Sequence, residues 1–494
     1  MKQAMIFLIV LSLLAGCKRP PDAYEHTLSV PDISDLAMSA DLQKACAARR
    51  QKLAETIGNG VAVVRSDGDH DGGRHEFRAT NNFYYLTGLN QYGYILTLSG
   101  EDPPSYSLFR REKSIFDVIY TGTMTESDTV MNHFGPDTLL PLQEFGPSII
   151  RFILSGTPLY VDREDGFLRD SISRTIARLK ASDTLLRNLD PLMDEMRIHK
   201  DETEIARMQK AVDITGEAFR NACRVSRLGL YEFEVEAVIE YTFRKNGSSM
   251  PAFQSIVGSG PNAVTLHYTE NIRQIRKGEL LLMDIGAEYG HYCADITRTV
   301  PAGRKFTPEQ RDIYELVLKG QKAAIAEMLP GNYLMAGHNR CTAVIAGGLY
   351  GLGLLTDTAS AWQKRFYTLY PISHFVGMDV HDAGDLGAPY PVIRQYMVSD
   401  TLLGRKLEQG MVLTVEPGLY FRRGGLEQLF EMAAGEASPE EIRQFVDQVA
   451  PAYQKYEGIG IRIEDDVLIT GDGNRVLSGS IPKEPDDIEK MMGL

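Results

Sequence analysis

Cysteine is scarce, with five residues in a chain of 494. That is too few for a disulfide-built scaffold, so the core must hold together by packing. Cys46, Cys223, Cys293 and Cys341 are widely spaced and form no CxxC pair, which excludes zinc-ribbon and thioredoxin-like sites. They read as buried thiols, with a disulfide left open. Basic residues are also short: 52 Lys and Arg stand against 66 Asp and Glu, a formal balance of −14. Such a surface does not suit phosphate backbones, so no nucleic-acid partner is expected. Beyond residue 14 no stretch reaches the ~18 apolar residues of a membrane-spanning helix. Internal repeats and low-complexity tracts are absent. What is present, 43% apolar and 24% charged residues, excludes disordered and collagen-like classes and predicts two or three domains.

The first residues form an address. Lys2 supplies a positive start, residues 5–14 are apolar except Ser12, and Ala15-Gly16-Cys17 follows, the layout of a signal peptide too short to span a bilayer comfortably. Leu14-Ala15-Gly16-Cys17 resembles a bacterial lipobox, which implies cleavage before Cys17 and lipid on that residue; an ordinary secretory signal is the alternative. A lipid anchor would place the protein in a bacterial cell envelope, held to a membrane with its body in the periplasm or outside. Residues 17–40, with Pro20, Pro21 and Pro31, read as a tether.

The body begins with a helix over 42–57 and short strands at 61–64 and 94–98, an α/β pattern. Near Met196 the pattern changes: Ile205, Met208, Val212, Thr215 and Phe219 recur at helical spacing, and a second helix is predicted over 231–245 with Gly247 as its stop. A domain boundary falls at 190–200. Thr307-Pro308-Glu309-Gln310 forms a helix start with cap, proline and capping-box glutamine, and that helix is expected to reach Leu329 before Pro330-Gly331. Residues 422–457 read as an inserted helical excursion between two strands.

The chemistry concentrates between residues 280 and 300. Strands at 280–284 and 295–300, joined by a turn near Tyr289-Gly290, make a hairpin whose two-residue-turn register places Asp284 opposite Asp295. Two facing carboxylates repel unless a cation sits between them; two solvated aspartates on an exposed face are the alternative, and a bulge would break the pairing. His374, Glu416 at the end of the strand 412–415, and Glu464 follow in comparable settings. Arg462 and Glu464 share one side of their strand while Ile461 and Ile463 share the other. Taken singly, each is commonly a solvated or core residue. Together, four carboxylates and one imidazole suit two divalent ions, and oxygen-rich ligation favours Mn²⁺ over a thiolate-style zinc site. Two ions ~3.5–4 Å apart lower the pKa of a shared water and polarise a carbonyl, which is hydrolytic machinery.

The order Asp284, Asp295, His374, Glu416, Glu464, together with HYTEN (267–271), DITRT (295–299), GMDVHD (377–382), TVEPGLY (414–420) and GIGIRIEDD (458–466), resembles the aminopeptidase P and prolidase family of pita-bread metallopeptidases. FYYLTGL (83–89) after Phe77-Arg78 is similar, more loosely, to the family's N-terminal domain. Beyond the signal peptide (1–16) and tether (17–40) read above, the resemblance implies an α/β (α+β) fold of two domains: an aminopeptidase-P-like N-terminal α/β domain over 41–195 and a pita-bread catalytic domain over 196–490. It implies that Asp284 binds one metal, that His374 and Glu416 bind the other, and that Asp295 and Glu464 bridge them. His267 and His381 match the family's substrate-side histidines, Arg462 matches the arginine beside the last ligand, and Glu416 is a candidate proton carrier. The implied reaction is attack by a metal-bridging hydroxide on the carbonyl before proline, with the oxyanion held by metal and imidazole. Substrates would be peptides with an Xaa-Pro N-terminus, with dipeptide-only cleavage and a catalytically dead binding protein as alternatives, and the assembly a dimer or tetramer of identical chains. Three departures stand out: Tyr370-Pro371 where relatives commonly have His-Gly, Asn90-Gln91-Tyr92-Gly93 where a Glu-Pro pair usually follows, and the 422–457 insertion.

Overall fold

Alternating apolar residues in the strand Val61–Arg65 organise the first half of the molecule. Ala62 and Val64 point into one core and Val61 and Val63 into another, as a strand covered on both faces requires. The computed structural model describes residues 39–67, 77–101, 103–226, 229–384, 386–388, 392–393 and 402–493. The signal peptide with Cys17, and all of the tether except its last two residues, lie outside them. The described residues all belong to a single compact unit.

The N-terminal sheet has six strands in the order Thr138–Pro141, Tyr106–Arg110, Tyr94–Ser99, Val61–Arg65, Leu159–Val161, Leu186–Asn188. The middle pairings are antiparallel and the outer ones parallel. The helix Ala40–Ile57, capped by the Ser39 side chain, covers one face through Leu42 and Leu53. Phe145–Leu154 and Gly166–Leu179 cover the other through Ile149, Ile153, Leu168 and Ile172.

After the helix Asp190–Ile198 come two long helices, Glu202–Val225 and Glu232–Lys245, and two more, Pro308–Ile325 and Leu334–Gly351. They back small antiparallel sheets. One joins Ile256–Ser259, Leu280–Ile285 and Ile296–Pro301; another joins Val412–Val415, Asp465–Ile469 and Asn474–Val476; Gly418–Tyr420 pairs with Gly460–Arg462. The sheets are laced together where the Glu464 N–H donates to the Thr297 carbonyl at 3.0 Å and the Thr299 hydroxyl to the Arg462 carbonyl at 3.0 Å. Segment 422–457 folds as the helices Gly425–Met432 and Pro439–Tyr456.

Two expectations are corrected. The helix opened by Thr307, whose capping box forms as predicted, stops at Ile325; residues 326–329 close in tighter turns, the Leu329 N–H reaching the Glu327 carbonyl. The hairpin register is shifted by two residues: Asp284 faces Thr297, not Asp295. The turn is centred on Gly290-His291, with φ of 57° and 68°, the double left-handed geometry of a primed turn. Because strand side chains alternate with period two, the shift leaves both aspartates on one face, diagonal to each other.

Candidate active site

All eight residues singled out in the body of the chain line one cavity of about 640 Å³: His267, Asp284, Asp295, His374, His381, Glu416, Arg462 and Glu464. Asp284 belongs to the strand Leu280–Ile285 and Asp295 immediately precedes its partner strand. His374 is fastened to the strand Val412–Val415: the Thr414 N–H donates to its carbonyl at 2.9 Å and its own N–H reaches the Thr414 hydroxyl at 3.2 Å. Glu416 leaves that strand with its N–H on the Ile372 carbonyl. Arg462 ends the strand Gly460–Arg462, and Glu464 lies in the break before Asp465–Ile469.

The His374 ring approaches the Phe375 carbonyl through Nδ1 at 3.0 Å. With the proton there, Nε2 is left with its lone pair, the arrangement seen in metal-binding histidines. Nε2 lies 3.5 Å from both an Asp295 and a Glu416 oxygen. Asp295, His374 and Glu464 each offer one ligand atom, all within 4.8 Å of one another. Arg462 donates to Asp284 Oδ2 at 2.5 Å, to the Tyr420 hydroxyl at 2.8 Å and to the Thr297 hydroxyl at 3.1 Å. Thr297 in turn donates to Glu464 at 2.6 Å.

This cluster carries more negative charge than its protein neighbours balance. Burial, then Glu464 and the other acids, push the Asp295 carboxyl far above its ordinary range. Burial and Glu464 do the same to Glu416, and burial with Asp284 raises Glu464 to about 8. The histidines move the opposite way: burial and then His381 lower His374 to about 3, and burial and then His267 lower His381. Among the described residues, Asp284 Oδ1 is buried without a hydrogen-bond partner. Crowded buried carboxylates, an orphaned oxygen and an imidazole lone pair fit divalent cations.

The chain matches the family model "Metallopeptidase family M24" over residues 206–471 and "Aminopeptidase P, N-terminal domain" over 46–159. It belongs to metallopeptidase family M24. Its relatives include the Xaa-Pro aminopeptidase of Escherichia coli K12, 32% identical over 466 residues covering 90% of this chain and 96% of the relative. Human Xaa-Pro aminopeptidase 3 is 30% identical, covering 84% and 77%. Among solved structures, proline aminopeptidase P II from Yersinia pestis superposes with a TM-score of 0.78 at 32% identity, covering 91% of this chain and 99% of that one. Aminopeptidase P from E. coli with the inhibitor Pro-Leu gives 0.77 at 31%, covering 91% and 98%. The fold and family anticipated from the sequence therefore hold, and as an M24 enzyme the protein is a metalloaminopeptidase that uses a divalent metal.

Several residues of the M24 site were not singled out from sequence. Asp466, whose Oδ2 accepts the Asp295 N–H at 3.1 Å, sits in the IEDD run but is one of three consecutive acids. Tyr420 and Thr297 lie inside TVEPGLY and DITRT and serve Arg462. Glu232 gave no local signal at all. Fully buried, it accepts from the Ser259 N–H and hydroxyl at 2.6 and 2.7 Å, and from the Tyr268 hydroxyl and Arg273 N–H at 2.8 Å each. It thereby shapes the segment that carries His267. Tyr370 turns its hydroxyl to the Glu416 carbonyl at 3.0 Å and the Tyr420 hydroxyl at 2.9 Å. It is a fixed wall of the cavity, coupled through Tyr420 to Arg462.

Proposed function

We propose that this protein removes the first residue from peptides whose second residue is proline. The observation that carries the reading is the convergence of eight residues, spread along the chain from His267 to Glu464, on one cavity. Asp284, Asp295, His374, Glu416 and Glu464 would hold two divalent ions, and oxygen donors with a single imidazole favour Mn²⁺. Bound there, such ions polarise a peptide carbonyl and lower the pKa of water.

The remaining work belongs to the chain. His267 and His381 stand at the cavity wall, where a neutral imidazole can donate to an oxyanion or to the scissile group. Glu416, which lines the same cavity, would take a proton from the attacking water and return it to the leaving nitrogen. Arg462 keeps Asp284 oriented by charge-assisted hydrogen bonding. Phe253, Ile256, Leu266 and Leu369 supply apolar wall. A prolyl bond has no amide hydrogen and restricts the residue before it, so it needs a dedicated cavity with little demand for backbone donors.

The lipobox-like start supports a lipid-anchored location in the cell envelope, and the family supports an oligomer of identical chains. The deciding assay compares Arg-Pro-Pro with Gly-Pro in the Mn²⁺-loaded protein. Release of arginine from the tripeptide is expected; turnover of Gly-Pro alone would overturn the reading in favour of a dipeptidase.

A further inference from the structure

His381 lies in a short segment, 377–382, that is fastened on both sides of the imidazole from outside the metal-binding strands. On the N-terminal side, Arg78 Nη2 donates to the Met378 carbonyl at 2.7 Å. The same guanidinium pairs with Glu288 through Nε at 2.7 Å and with the Asn81 side chain through Nη1 at 2.6 Å. Asn81 donates onward to Asp379 Oδ2 at 2.5 Å. On the C-terminal side, Asp382 is gripped by two cations: Arg197 reaches Oδ1 at 2.5 Å and Lys200 reaches Oδ2 at 3.1 Å, with the Lys200 and Asp382 side chains each 1% exposed. Arg197 is itself tied to Asn82 Oδ1 at 3.1 Å. The backbone closes the arrangement, the Cys293 N–H donating to the Gly377 carbonyl at 2.7 Å and the Asp382 N–H to the Phe375 carbonyl at 2.9 Å.

Arg78, Asn81 and Asn82 belong to the N-terminal domain, and Arg197 to the helix Asp190–Ile198 that follows its sheet. Met378, Asp379 and Asp382 are thus held from outside the catalytic sheets, while Val380 and His381 face the cavity and the His381 ring lies 4.0 Å from that of His374. We propose that Arg78 and Asn81, together with Arg197 of the helix that links the two domains, are positioning residues that make the N-terminal domain and that helix a clamp on the loop presenting His381. The proposal rests on His381 acting at the substrate. Backbone carbonyl and carboxylate anchors within three residues of the imidazole leave it little freedom to drift, and misplacement of a reacting group by about 1 Å can cost on the order of 100-fold in rate.

The test is a double-mutant cycle on the Mn²⁺-loaded, otherwise intact protein, reading kcat and KM for Arg-Pro-Pro, metal content and thermal midpoint. Arg78→Lys keeps a cation beside buried Glu288 but cannot span all three acceptors, and half-buried Asn81→Ala removes one anchor with little risk to folding. The expected result is a fall in kcat of about 10-fold or more for Arg78→Lys and a smaller one for Asn81→Ala, with metal content unchanged and KM little affected. In a His381→Ala background neither substitution should lower kcat further, because both act through that ring. Losses that multiply in that background, or wild-type kcat in both single variants alongside an inactive His381→Ala protein, overturn the clamp and leave the role of His381 standing. Full activity of His381→Ala overturns both.

Discussion

Tyr370→His offers the sharpest test of how this site differs from its relatives. The phenol makes two hydrogen bonds, to the Glu416 carbonyl and the Tyr420 hydroxyl, each contributing about 1 kcal/mol. An imidazole cannot reach both, so the substitution should destabilise the protein by about 2 kcal/mol. Burial, then Tyr420 and Glu416, push the phenol well above its ordinary value, so it keeps its proton at neutral pH and cannot exchange it during turnover. An imidazole titrates near 6.5 and can. Well-placed acid–base groups contribute about 10²- to 10⁴-fold. A ring introduced without tailored partners should recover a small part of that, a rise in kcat/KM for Arg-Pro-Pro of about 3- to 10-fold. Tyr370→Phe is the control: it loses the same hydrogen bonds and gains no titratable group, so its kcat/KM should not rise. Equal kcat/KM in the wild-type and Tyr370→His proteins, at matched metal content, would show that this position does not limit turnover. An unchanged thermal midpoint would refute the hydrogen-bond reasoning.

Asp295→Asn should abolish metal uptake and activity together, because Asp295 lies within ligand reach of both His374 and Glu464; elemental analysis and the tripeptide assay check it, and retained activity would refute the assigned centre. Asp465, fully buried between Arg298 at 2.7 Å and Lys483, has its carboxyl lowered to about 2, against burial, by those two cations and by hydrogen bonds. Its folded-state pKa is depressed, so its contribution of about 2 kcal/mol is complete above pH ~4 and is lost as pH falls towards 2. In denaturant titrations the stability gap between wild type and Asp465→Asn should narrow over that window, and a gap that widens would sink the argument. Cys17→Ala should move the protein from the membrane fraction to the soluble one on cell fractionation; unchanged sedimentation would argue against a lipid anchor.

The residues that converge on the cavity are legible in the sequence because their types are costly to bury without a partner. Four acids and a histidine beside apolar strands point to a cation wherever the chain folds them together, and the capped helix start at Thr307 is an equally local signal. What stayed hidden depends on partners far away in the chain. Glu232 looks like any acid in the first turn of a helix until Ser259, Tyr268 and Arg273 close on it. The grip of Arg78 on Met378 joins residues 300 apart in sequence. The sequence puts the turn near Tyr289-Gly290, one residue early, and of the two left-handed positions only Gly290 is a residue type that usually adopts them. The second left-handed residue is His291, buried against the Tyr84 ring at 3.7 Å, and only that contact with the N-terminal domain makes a histidine there intelligible.

The two-residue slip in the hairpin bears directly on how the centre works. A slip of one would have sent Asp284 to the opposite face and dissolved the site; a slip of two changes only which residues stand opposite. Directly opposed side chains have Cβ atoms about 5 Å apart, whereas diagonal ones are about 7–8 Å apart. The wider spacing gives Asp284 room to offer one oxygen to Arg462 and leave the other free. It also puts Thr297, in place of a second carboxylate, directly across from Asp284, where its hydroxyl reaches Glu464 arriving from the other sheet. The residue opposite Asp295 in this register is Gly286, at which a Cβ would collide with the Ala294 carbonyl, so no side chain competes for the space Asp295 faces. The observed register therefore separates two acids that face-to-face pairing would have forced together, and it sets Thr297 where it can hold the second sheet's glutamate.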